Sequence, residues 1–90
     1  MKLLFPNPSR SYDESQHRIR FWGYDSAIEV TFYIDTAALK LICPNMENVE
    51  TDFLHAFDSK IVKIHDVAEK MYSARKSRTF DIILSANDFS

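Results

Sequence analysis

HRIRFWGYDSAIEVTFYI, residues 17–34, alternates twice. From His17 to Tyr24, Ile19 and Phe21 fall on one side and Arg18, Arg20, Trp22 and Tyr24 on the other, the period of a half-buried strand. Ile28, Val30, Phe32 and Ile34 repeat the pattern, with Glu29, Thr31 and Tyr33 between them. Gly23-Tyr24-Asp25-Ser26 reads as the connection. Whether its loop holds two residues or four, Ile19 and Phe21 share a face with Val30 and Phe32. The hairpin therefore has a core side and an outward side, and Arg18, Arg20, Trp22, Thr31 and Tyr33 lie on the outward one.

Working outward toward the N-terminus, Ser11 to Asp13 and the polar turn Glu14-Ser15-Gln16 predict a short strand before the hairpin. Ahead of it, Pro6 and Pro8 fix an extended, turn-prone segment. Toward the C-terminus, Asp35 or Thr36 suits the N-cap of a short helix over Ala37 to Ile42, which stops where Cys43 precedes Pro44. Thr51 can cap a second helix of about 24 residues running to Arg75. At about 100° per residue, Phe53, Phe57, Ile61, Ile64, Ala68 and Met71 share an arc of about 80°. Arg78 to Leu84 then reads as a strand with Phe80, Ile82 and Leu84 on one face. The expected fold is one α+β domain over residues 1–90: an antiparallel sheet, formed by an N-terminal meander plus the C-terminal strand, with one short and one long helix packed on one face.

Composition agrees with a folded chain. Of 90 residues, 46% are hydrophobic, 27% charged and 13% aromatic, too aromatic for a disordered tail. The single cysteine, Cys43, excludes an intramolecular disulfide and any zinc site built on cysteine pairs, and fits a reducing cytoplasm. Met1 to Phe5 meets Pro6 too soon to form a signal-peptide core, and no run approaches the roughly 18 apolar residues of a membrane span. A net charge of −2 does not favour nucleic acid.

A family likeness covers nearly the whole chain. The run from Asn7 to Asp13 (NPSRSYD), then IRFWG at Ile19 to Gly23, Asp25-Ser26 and Ala38-Leu39 resembles the small bacterial proteins grouped as domain-of-unknown-function family 1488, with the distinctive part in residues 5–39. The resemblance implies a stand-alone α+β protein of uncharacterised function. It brings no catalytic or binding residues with it.

Function is read from the residues themselves. Cations interleaved with aromatics on a sheet, as in Arg18, Arg20, Trp22, Thr31 and Tyr33, suit a protein interface, because Trp, Tyr and Arg are its enriched anchors. The same group could stack single-stranded bases, or it could be covered by another copy of the chain or by a neighbouring element such as the chain's own N-terminal segment with Phe5, Pro6 and Pro8, with Arg20 paired to Glu29. Lys70, Arg75, Lys76 and Arg78 complement a helix C-terminus. His55, Asp58, His65 and Glu69 share one helix arc, yet His55 and His65 stand about 15 Å apart along the axis, so no metal ion reaches both. Cys43 has no evident base nearby, the serines lack a nucleophile elbow, and Arg10 with Ser9 and Ser11 is a weak anion site without glycine.

The expectation is thus a non-enzymatic cytoplasmic binding module, using the Arg18, Arg20, Trp22, Thr31 and Tyr33 face. It has no catalytic residues, metal or cofactor. Its partner is a protein or a second copy, with neither nucleic acid nor membrane. The alternative is a small-ligand or metal-dependent enzyme using Asp58, His65 and Glu69 on the helix.

Overall fold

The structure, a computed structural model, describes residues 3–5, 10–74 and 81–89. Its centre is a four-stranded sheet in the order β1-β2-β3-β4. The strands are β1 (Arg10–Asp13), β2 (Arg18–Asp25), β3 (Ile28–Asp35) and β4 (Asp81–Leu84). Phe21 pairs with Phe32, as the alternation requires, and the β2–β3 turn is only Ser26 and Ala27 between the paired Asp25 and Ile28. Gly23 and Tyr24 are therefore strand residues rather than turn residues. Ser26 turns the chain with φ 56°, and His17 ends the β1–β2 turn with φ 53°; both occupy the left-handed region that L-residues visit at some strain.

The C-terminal strand departs from an all-antiparallel sheet. β4 runs parallel to β3, with Phe32 beside Ile82 and Ile34 beside Leu84. A parallel neighbour needs a crossover, and the three helices between β3 and β4 supply it. These are α1 (Thr36–Ile42), α2 (Glu50–Ser59) and α3 (Ile61–Ala74). Asp35 caps α1 by accepting the Ala38 N–H at 2.9 Å.

The long helix expected over Thr51 to Arg75 is two helices. It breaks at Lys60 (φ −114°, ψ 22°), whose N–H bonds back to both Ala56 and Phe57 carbonyls. The Ser59 hydroxyl also donates to the Ala56 carbonyl at 3.0 Å, so that this carbonyl accepts twice at the helix end. The break lets α2 cover β1 while α3 covers β4 at the opposite edge. Thr51 is not the cap. α2 starts at Glu50 behind Val49, whose carbonyl accepts from Phe53, while Asp52 accepts the Glu47 N–H and ties down the preceding loop.

All three helices lie on one face. The core joins Ile19, Phe21, Phe32, Ile34, Ile82 and Leu84 of the sheet to Leu39, Phe57 and Ile64 of the helices, each of them fully buried. Phe21 stacks on Phe32 at 5.3 Å and meets Phe57 at 5.2 Å. The N-terminal segment extends the sheet: Leu4 bridges to Tyr24 through hydrogen bonds of 2.9 and 2.8 Å, with Leu3 and Phe5 turned to the core side. A 3₁₀ turn at Ala86–Phe89 follows β4 and packs Phe89 against the core. Residues 78–80 of the expected last strand, and Arg75, Lys76 and Arg78 of the basic cluster, lie outside the described residues.

Candidate functional site

Alternation puts on the outer face of the sheet whatever the core does not take. Strand register arranges it in rows across the sheet. Asp13, Arg18 and Asp35 form one row, Ser11, Arg20, Tyr33 and Ile83 the next, Trp22 and Thr31 a third, and Leu4, Tyr24 and Glu29 the last. The described helices pack on the core face, and Arg18, Arg20, Trp22, Tyr24, Thr31 and Tyr33 of the outer rows are half-buried. At the margins of the face, Ile83 is 50% and Leu4 55% exposed.

All five residues singled out from the sequence, Arg18, Arg20, Trp22, Thr31 and Tyr33, stand together here. The Arg18 guanidinium lies 3.7 Å over the Tyr33 ring, and that of Arg20 lies 4.8 Å from the Trp22 ring. Each is also near a carboxylate: Arg18 Nε is 3.7 Å from Asp13 and Arg20 Nη2 is 3.8 Å from Glu29. Exposed ion pairs contribute about 0–1 kcal/mol and exposed cation–π contacts about 0.5–1 kcal/mol. Their effect here is mainly to hold two flexible cations flat against rings. A hydrogen bond from the Ser15 hydroxyl at 2.8 Å keeps the Asp13 carboxyl below the usual carboxylate range, so it stays charged beside Arg18.

Ile83 and Leu4 complete the face and were not among the sequence candidates. The alternation of Ile82, Ile83 and Leu84 already sends Ile83 outward. Nothing in residues 3–5 marks them as an added edge segment.

The alternative site on the helices does not assemble. Asp58 is held by Arg10 through two hydrogen bonds of 2.8 Å each, which also removes Arg10 from any anion site. His65 stacks on Phe5 with ring centres 3.8 Å apart, and burial pushes its pKa below the ordinary value. His55 is exposed one helix away. Lys70 pairs with Asp66 at 3.3 Å. Among the described residues no group of three His, Cys, Asp or Glu could hold a metal ion. Cys43 is half-buried at the end of α1. A surface depression of about 650 Å³ beside Tyr12, His17, Lys40 and Phe53 mixes Glu14 and Glu50 with Lys40 and converges on no reactive group. No helix among the described residues is long and apolar enough to cross a membrane.

A sheet with every helix on one side and an open aromatic and cationic face on the other defines a two-layer α+β protein. The family model described as "Protein of unknown function (DUF1488)" matches residues 3–84, and the chain belongs to that family. It is similar to a solved structure, the crystal structure of a protein of unknown function from the DUF1488 family of Shewanella loihica PV-4. That comparison has 18% identity and a TM-score of 0.80, covering 91% of this chain and 90% of that one. At this identity the likeness speaks for the fold alone. No curated protein matches the chain.

Proposed function

We propose that this protein is a non-enzymatic binding module of the cytoplasm that presents the outer face of its sheet to another protein. The observation carrying this reading is an outer face on which Ile83 is exposed and Trp22 and Tyr33 are only half-buried, while both guanidiniums of the face are already laid against rings. Ordering side chains costs about 0.5–1.5 kcal/mol each at an interface, so prearranged Arg18 and Arg20 favour association. Trp22 is the anchor, Arg20 and Tyr33 flank it, and Thr31 and Arg18 complete the patch. The enzymatic alternative draws no comparable support, since Asp58 and His65 are engaged with Arg10 and Phe5.

The test is affinity capture from native lysate with wild type and Trp22→Ala, alongside thermal unfolding of both. The expected outcome is a partner retained by wild type, weakened by about 2 kcal/mol or more in Trp22→Ala, with unfolding unchanged. Identical partners on a stable variant would overturn the reading.

A further inference from the structure

We propose that the partner on the outer face is a second copy of this chain, related by a two-fold axis running along the sheet between β2 and β3. The inference rests on the reading of that face as an interface, and takes the partner's identity from its charge pattern. A two-fold interface brings a patch against itself, so it must be self-complementary. The two cations of the face, Arg18 and Arg20, sit on β2, between Asp13 on β1 and Glu29 and Asp35 on β3. A polyanion meets three carboxylates around two guanidiniums, whereas a second copy meets its complement.

The proposed axis exchanges β2 with β3 while preserving the rows. Arg18 then falls over the partner's Asp35, Arg20 over the partner's Tyr33, Trp22 over the partner's Thr31 and Tyr24 over the partner's Glu29. Ser11 falls over the partner's Ile83. Among the described residues no like charges oppose each other, and the exposed Ile83 gains cover at the margin of the patch. Four strands about 4.8 Å apart and four rows about 6.6 Å apart give a footprint of about 15 by 20 Å; side-chain relief roughly doubles it, giving about 1,200 Å² over both copies. That is the lower end of the specific range, and describes a dimer that dissociates on dilution.

Sedimentation equilibrium of the full chain across a dilution series is the first experiment. A monomer–dimer equilibrium whose dissociation constant rises about thirtyfold or more in Trp22→Ala is expected. A chain that stays monomeric at all concentrations would overturn the second-copy inference. If Trp22→Ala nevertheless loses a partner from lysate, the binding reading stands without it. A dimer insensitive to Trp22→Ala and to Glu29→Lys would place the contact elsewhere and overturn both. The axis itself is read by disulfide trapping in a Cys43→Ser background, mixing a Tyr24→Cys chain with a Glu29→Cys chain. Mixed dimers well beyond the roughly twofold excess over either self-pair that random pairing gives are expected. The random ratio or less, or no cross-linked dimer at all, would contradict the proposed axis.

Discussion

Gly23 carries the ring of Phe5 where any other residue carries a Cβ. A Cβ built there meets Phe5 Cε1 at 2.7 Å, Phe5 Cδ1 at 2.9 Å and the Leu4 carbonyl oxygen at 3.0 Å. The requirement is closeness of approach, since Gly23 has ordinary strand dihedrals. Gly23→Ala should therefore destabilise by about 1–3 kcal/mol in chemical denaturation, as overpacking does. Combined with Phe5→Ala it should cost less than the sum of the two, because the clash needs both partners. On its other face Phe5 stacks on His65, which burial keeps biased toward the neutral ring. As pH falls, the unfolded chain takes up this proton before the folded one. Stability is therefore full above the unfolded pKa of about 6.5 and declines as pH drops from there toward the lower folded value. Thermal unfolding compared between pH 7.5 and 5, about one unit or more either side of that pKa, should show a smaller decline in His65→Gln than in wild type. Equal declines would place the titrating group elsewhere.

The elements whose periodicity is long were legible in the sequence, and those set by single hydrogen bonds were not. The hairpin, its core side and the α1 cap follow from alternation and from Asp35. The shortness of the β2–β3 turn was hidden because Gly23 imitates a turn residue while serving a packing contact. The break between α2 and α3 has no glycine or proline to announce it; Ser59 and Lys60 read as helix, and only the need to reach both sheet edges separates the two segments. The parallel placement of β4 is likewise invisible, because Ile82 and Leu84 look the same in either direction. The apolar stripe survives the break: Phe53 and Phe57 from α2 join Ile64 and Ala68 from α3 in one core. Phe57 is fully buried against Phe21. Phe57→Ala should accordingly cost about 3–5 kcal/mol in denaturant unfolding, the loss expected of a cavity at the centre of a core. A shift below about 1 kcal/mol, the size of an ordinary substitution, would show that α2 does not face the sheet as described.

For the molecule as a whole, the described helices lie on one side of the sheet, and the proposed partner takes the other. Of the candidate site, Arg18, Arg20, Trp22, Thr31 and Tyr33 were readable from parity alone. Ile83 and the Leu4 edge needed the fold, since they are joined to the face only by pairing between distant segments. Trp22 is already half-buried by its neighbours, and a partner covering the rest of it adds about 1 kcal/mol or more of apolar burial. Trp22 is the chain's single tryptophan, so its fluorescence reports on the centre of the face with no other contribution from indole. Collisional quenching of that emission across a dilution series of the purified chain is the most direct test. If a second copy seats on the face, Trp22 is protected in concentrated solution and becomes quenchable as the protein is diluted. Quenching that is strong and unchanged at every concentration would contradict the account.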